Sequence, residues 1–302
     1  MAKLKNKNCL ITGAASGIGR ALAIGLAKEG MNLFITDLDL VNLDKVKEEI
    51  AALGVKVFTG KCDVSKYDDF VNLAGDVYAK LGEIDLLINN AGIGSGSFAE
   101  SMELDDWKKV LDVNLWSIIY SLKVFLPRML QRGSGHIVNT GSGAGVVGQP
   151  YHLDYVASKF AVVGISEGLY SEIHDRGIDV SVICPTIIKT NIIERSDVRI
   201  PPELAKDIDQ KELDAKLELF KTVFWREYTK KGLTPEEAAK RYIKGIKKRK
   251  LYIFDKRIVP LAMFLKAVFQ GLYKRILRGQ GKEHAQIIEK ALKEAGIQEI
   301  NA

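Results

Sequence analysis

The strongest constraint on this chain is an alternation that starts near its N-terminus. Short, continuously apolar runs are each followed by a stretch with helical spacing. Runs at 9–12, 32–36, 55–59, 84–88, 136–140 and 180–184 read as strands, with a seventh at 251–254. Between them 19–29, 41–53, 70–80, 104–131 and 155–175 read as helices; Val46, Ile50 and Leu53 share one face of the second. Strands with no alternating polar side are buried on both faces. That requires a parallel sheet covered by helices and joined by right-handed crossovers. No repeat, low-complexity tract or flexible linker divides the chain, and 302 residues are enough for one large core. The expected fold is α/β, a doubly wound parallel seven-stranded sheet in one domain spanning residues 1–255. It carries an insertion at 186–239 and a helical extension at 256–302.

Composition narrows the setting. Apolar residues make up 47% and charged residues 27%, which excludes disordered, collagen-like and coiled-coil classes. Cys9, Cys62 and Cys184 have no CxxC spacing and no nearby histidine, so neither a zinc site nor a disulfide framework is expected. They read as buried fillers in a reducing, cytoplasmic setting. No stretch of about 18 uncharged apolar residues argues for a membrane-spanning helix. The apolar run after Lys3, Lys5 and Lys7 is too brief for a signal peptide. Charge is uneven: residues 241–282 hold 13 Lys/Arg and one acid, Asp255, while the rest holds 31 basic and 37 acidic residues.

The first strand runs into Thr12-Gly13-Ala14-Ala15-Ser16-Gly17-Ile18-Gly19-Arg20. Glycines at a strand-to-helix junction let the backbone approach a phosphate, and the helix N-terminus offers free N–H groups and a positive dipole end. Gly19 is followed by Arg20, not by the Lys-Ser/Thr of a phosphate-binding P-loop. Asp37 ends the next strand, 18 residues beyond Gly19, where a carboxylate accepts from adenosine ribose hydroxyls and repels a 2′-phosphate. Leu38 follows it and Ser16 lies in the turn, so neither place holds a phosphate-binding cation. These residues favour NAD over NADP, whose 2′-phosphate Arg20 would reach only by folding back.

Tyr155 and Lys159 lie four apart on one face of a helix. An ammonium beside a phenol stabilises the phenolate and lowers its pKa from about 10. Such a tyrosine takes a proton from an alcohol as hydride leaves, or returns one to a ketone. Ser142 follows the fifth strand, at the edge of the sheet where ligands of such folds bind. His152, three residues before Tyr155, reads as a loop histidine, with a substrate-facing role as the alternative.

Thr12-Gly-x-x-x-Gly-x-Gly, Asp63, Asn89-Asn90-Ala91-Gly92, Asn114, Ser142 and Tyr155-Val-Ala-Ser-Lys159 occur in order across residues 5–255. In this the chain resembles the short-chain dehydrogenase/reductase family. The resemblance implies a single Rossmann-type domain and a catalytic tetrad of Asn114, Ser142, Tyr155 and Lys159. Tyr155 is then the acid/base, Ser142 fixes the reacting oxygen, Lys159 also holds the nicotinamide ribose, and Asn114 supports a water linking Lys159 to solvent. Thr12, Gly13, Ser16, Gly17, Ile18, Gly19, Asp37, Asp63, Val64, Asn90, Ala91, Gly92, Tyr155, Lys159, Pro185 and Thr190 are the implied cofactor contacts. Asp63 and Val64 face the adenine, Asn90 lines the groove, and Thr190 touches the carboxamide. The family commonly has Pro-Gly where this chain has Pro185-Thr186, which leaves the path of that loop open. Dimers or tetramers through 104–131 and 155–175 are also implied, and no metal.

Residues 186–239 leave the sixth strand and read as a lid. Ile187, Ile188, Ile192 and Ile193 are followed by a helix whose Leu213, Leu217, Phe220 and Phe224 share a face beside Trp225. An apolar lid implies an apolar substrate of steroid, long-chain acyl, sphingoid or retinoid type. Beyond it, 258–278 reads as one helix after Pro260, with Lys266, Gln270, Lys274 and Arg278 in a polar stripe and an otherwise apolar circumference. That pattern suits the interface of an anionic membrane, or docking on the body or a partner copy. No motif points to nucleic acid. The expected activity is hydride transfer between NAD and a lipophilic secondary alcohol or ketone, in the direction of oxidation. The alternatives are an NADPH-dependent ketone reductase and a non-catalytic dinucleotide sensor of the same fold.

Overall fold

The computed structural model describes residues 2–190, 192, 196–206 and 208–297; Ile193 of the expected lid lies outside them. The sheet is parallel throughout, in the order β3-β2-β1-β4-β5-β6-β7. Its strands are β1 (Asn8–Thr12), β2 (Asn32–Asp37), β3 (Val57–Lys61), β4 (Leu86–Asn89), β5 (Gly135–Thr140), β6 (Ile178–Cys184) and β7 (Tyr252–Phe254). All seven expected strands are present. β3 starts two residues late because its register pairs Val57 with Leu33. β6 is buried at every residue, as a central parallel strand requires. The order reverses between β1 and β4, so the carboxyl ends of these two strands border the crevice where such sheets bind ligands.

Helices α1 (Gly17–Lys28), α2 (Leu40–Ala51), α3 (Tyr67–Lys80), α4 (Leu104–Leu111), α5 (Ser117–Arg132) and α6 (Leu153–Ile173) cover the two faces. One core joins α1 to β1 and β2 through Leu22, Leu26, Ile11 and Ile35; another holds Phe125, Met129, Leu87 and Val180. The stretch read as one helix over 104–131 is interrupted by a π-helical turn at Asp112–Trp116. A wide turn of this kind pushes one residue inward, here the buried Asn114. By length and composition the composite helix Leu104–Arg132 would cross a membrane, but Ile118, Phe125 and Met129 bury its inner side in the protein core.

The remaining helices are α7 (Pro202–Ala205), α8 (Gln210–Tyr228), α9 (Pro235–Lys247), α10 (Ile258–Val268) and α11 (Gln270–Glu294). The expected helix over 258–278 is therefore two helices, broken at Phe269, whose backbone (φ −122°, ψ 68°) is not helical. The break turns α11 back across α8, where Ile288, Ala291 and Leu292 bury against Phe220 and Val223. This burial decides the geometry, since a straight helix would leave those side chains in water. The thiols of Cys9, Cys62 and Cys184 are free and buried, and desolvation pushes Cys62 and Cys184 up to about 12.

The α8–α11 cluster is separate from the sheet cores, so the two helices form one cooperative unit. Leu292→Ala should cost about 2–4 kcal/mol locally. Amide exchange in Gln210–Tyr228 and Gln270–Glu294 should accelerate together while β4, β5 and β6 stay protected.

Candidate active site

A cavity of about 410 Å³ opens along the carboxyl ends of β1, β4 and β5. Its first wall is the turn before α1. Gly13 has φ +68°, and a Cβ there would lie 2.7 Å from Ala91 Cα. A Cβ on Gly19 would lie 2.0 Å from Gly13 O, so the helix start and the turn touch backbone to backbone. Ser16 caps α1 without a side-chain hydrogen bond, and the first turn has no acid, so its N–H groups and dipole remain available to an anion. Thr12 stays behind the wall: its Oγ1 accepts from Asn90 N (3.0 Å) and Ala91 N (3.1 Å), tying the ends of β1 and β4 together. Asn90 Nδ2 donates to the carbonyls of Thr12 and Gly13.

Asp37 stands at the lip, its carboxylate accepting from Ala15 N (2.9 Å) and Asp39 N (3.1 Å). Arg20 points elsewhere, bound to Glu49 (2.7 Å) and near Glu236 (3.7 Å). Asp39 instead caps α2. Val64 lines the cavity, whereas Asp63 turns its carboxylate to Ser65 Oγ (2.6 Å) and Lys66. Those hydrogen bonds hold the Asp63 carboxyl below its usual range against the effect of partial burial. Gly17, Ile18, Gly92, Pro185 and Thr190 also face the cavity. A narrow cradle, free helix N–H groups and the Asp37 carboxylate suit a dinucleotide's phosphates and ribose.

Ser142, Tyr155 and Lys159 meet beyond the cradle. Lys159 is 3% exposed, donates from Nζ to Thr140 O (2.9 Å) and lies 5.5 Å from the Tyr155 ring centroid. No carboxylate pairs with it among the described residues. Burial pushes it down to about 8, only slightly opposed by Cys184. The expected acidification of Tyr155 is not built into the chain alone: burial raises the phenol, and a hydrogen bond with Ser142 opposes the rise. Desolvation outweighs that bond, and the Lys159 Nζ lies 5.5 Å from the ring centroid.

Asn114 does not reach the cavity. It brackets Ile93, accepting from its N (2.8 Å) and donating to its O (3.0 Å), and donates to Ser158 Oγ (3.1 Å). A Cβ on Gly92 would lie 3.0 Å from Asn114 Oδ1 and 3.5 Å from Lys159 Nζ, so the missing side chain keeps a gap between the two. Asp154, fully buried, accepts from Tyr155 N (2.7 Å) and from Ser95 Oγ, which pins the start of α6. Thr186 resolves the open loop path. Its N and Oγ1 donate to Asp255 (3.1 and 2.6 Å), and Arg241 donates to the Asp255 carbonyl. The side chain that a glycine lacks anchors this loop to the end of β7.

Phe220, Phe224 and Trp225 of α8 form the far wall with Ile187, Ile192 and Val198. Among its neighbours sequence reasoning missed Tyr228 and Ile288, and favoured a loop role over a substrate-facing one for His152. His152 lines the cavity, its ring 6.1 Å from that of Tyr155, and burial lowers it to about 4. Tyr228 follows Phe224 by four on α8, a spacing that would have found it; desolvation and the nearby Tyr155 raise its phenol. Ile288 arrives from α11 with no local signal, and His284 beside it packs on Tyr228 and His152.

The sequence model of the family described as short chain dehydrogenase matches residues 7–199. A cyclohexanol dehydrogenase of Acinetobacter sp. (strain SE19) is 38% identical over 192 residues, covering 63% of this chain and 76% of that protein. The 3-oxoacyl-[acyl-carrier-protein] reductase FabG of Thermotoga maritima is 36% identical over 193 residues, 64% of this chain and 78% of that one. Among solved structures, a short chain dehydrogenase/reductase of Burkholderia phymatum in complex with NAD is similar with TM-score 0.77 and 31% identity, covering 90% of this chain and 96% of that one. A metagenomic short-chain oxidoreductase in complex with NADP gives 0.58 and 32%, over 61% and 84%.

The unpaired Lys159 has a thermodynamic signature. Unfolded, it titrates near 10.5; folded, near 8, so between these pH values the unfolded chain binds more protons and stability rises with pH. In urea unfolding of the cofactor-free protein, the natural chain should gain up to about 3 kcal/mol on Lys159→Met between pH 8 and 10.5. A gap independent of pH would contradict this.

Proposed function

The chain belongs to the short-chain dehydrogenase family, and on that premise we propose that it oxidises an apolar secondary alcohol to its ketone with NAD. The observation that carries the reading is the opening of Ser142, Tyr155 and Lys159 into the cavity that also holds the glycine cradle. Bound NAD would supply the hydride acceptor. The turn 13–19 and the α1 N-terminus would hold its phosphates, Asp37 its adenosine ribose and Lys159 its nicotinamide ribose. Ser142 Oγ would donate to the substrate oxygen and fix the carbinol. The Tyr155 phenolate oxygen would take the carbinol proton, and Lys159, the gap at Gly92 and Asn114 would pass it towards solvent.

The raised Tyr155 phenol sets a condition on this chemistry. It must lose its proton before it acts as a base, and the added positive charge of an oxidised nicotinamide favours that loss. NAD is preferred over NADP because Asp37 occupies the lip and Arg20 is engaged by Glu49 and Glu236. The apolar substrate rests on Phe220, Phe224, Trp225 and Ile288. Association as a dimer or tetramer would cover Leu104 and Trp116, which lie exposed on the α4–α5 face. Three free buried thiols suit a reducing, cytoplasmic compartment.

One observation favours a second reading. A phenol that keeps its proton at neutral pH is ready to donate it, which suits ketone reduction with a reduced dinucleotide. Titration of the protein with NADH and NADPH separates the two; tighter binding of NADPH would overturn the NAD assignment. Tyr155→Phe should lower turnover by about 10²-fold or more and leave NAD affinity unchanged. In the same absorbance assay, long-chain or polycyclic secondary alcohols should outpace short polar ones. A preference for the short alcohols would reject the apolar substrate.

A further inference from the structure

Six large apolar side chains stand about half-exposed within fifteen residues: Ile258, Leu261, Phe264, Val268, Phe269 and Leu272. They are six of the sixteen exposed large hydrophobics among the described residues, so apolar surface is concentrated here. Spacings of three, three and four put the first four on one face of α10. The opposite side of the corner is docked. Val259, Met263, Tyr273 and Leu277 pack with Val146, Val163 and Tyr252, and Lys266 donates to Val146 O (3.2 Å) above the Phe160 ring. Lys266 therefore leaves the polar stripe expected from the sequence, and the body holds the outer face of α10 rigidly towards solvent.

Charge selects the occupant. Residues 256–282 contain seven cations and no acid. Arg257, Lys274, Arg275, Arg278 and Lys282 are exposed and make no ion pair among the described residues. A second copy laid face to face would bring like charges together around the apolar contact. An anionic bilayer accepts both features at once, the apolar residues entering the headgroup region and the cations meeting lipid phosphates and carboxylates.

We propose that the α10–α11 corner is a membrane-docking surface for an anionic lipid bilayer. The attachment is peripheral: α10 is 11 residues long, too short to span. This surface is separate from the site of hydride transfer, and the binding assay does not depend on turnover.

The test is co-sedimentation of the full chain with vesicles of phosphatidylcholine alone or of phosphatidylcholine mixed with phosphatidylserine, at low and high salt. The natural chain should bind the mixed vesicles at least about tenfold more tightly than the neutral ones, and high salt should weaken the binding. Phe264→Ser with Phe269→Ser, and separately Arg275→Glu with Arg278→Glu, should each weaken it by about tenfold or more. Both variants should keep the melting temperature and dinucleotide affinity of the natural chain, because these side chains lie on the outer face. Equal binding to both vesicle types, or binding indifferent to both pairs of substitutions, would overturn the proposal. So would a concentration-dependent oligomer that the Phe264→Ser, Phe269→Ser variant dissociates, which would make the corner a contact between copies.

Discussion

An ammonium buried with no carboxylate partner among the described residues governs this molecule. Lys159 is held against the carbonyl of Thr140 at the end of β5 and is surrounded by β6, α6 and the loop at Gly92. Burying an unpaired cation is costly, and the cost appears as a pKa brought down to about 8. A fold optimised for stability alone would place an apolar residue there. In the proposed function the same position would let a proton move between lysine, phenol and a bound substrate. The parallel sheet makes the arrangement affordable, since its strand ends converge on one edge and fix Thr140, Ser142 and Thr12 together.

The glycine cradle follows from the same edge. Gly13 and Gly19 are required because the turn, the start of α1 and the β4 loop meet backbone to backbone, with no space for a methyl group. In the proposed function dinucleotide and substrate would share one crevice, whose far side is closed by α8. That helix is backed by α11, so the C-terminal segment belongs to the active-site wall through Ile288 while its basic beginning faces outward. The cavity wall at Ile288 and the surface around Phe264 are thus borne by adjoining helices of one segment.

Much of this was legible in the sequence because its signals are local. Continuous apolar runs marked all seven strands, Asp37 followed its strand at the expected distance, and Tyr155 and Lys159 stood one helical turn apart. What stayed hidden depends on long-range packing. The π-turn at Asn114 leaves the apolar pattern of 104–131 intact, so the stretch reads as one helix. The bond from Thr186 to Asp255 joins residues 69 apart. The break at Phe269 exists because distant side chains on α8 reward the return of α11, and Ile288 enters the cavity only as a consequence. The burial of Tyr155 stayed hidden for a related reason. Spacing reveals the neighbouring cation, but not the depth of burial that outweighs it.

In the proposed function the Tyr155 phenol, raised by burial in the bare chain, would become a base only when the Lys159 charge is joined by that of an oxidised nicotinamide. Tyrosinate absorbance followed through a pH titration, with Tyr155→Phe subtracted, measures this ionisation directly. The Tyr155 midpoint should fall when NAD is added, fall less with NADH, and lose most of that shift in Lys159→Met. A midpoint that NAD leaves unmoved, or one that moves equally in Lys159→Met, would contradict it.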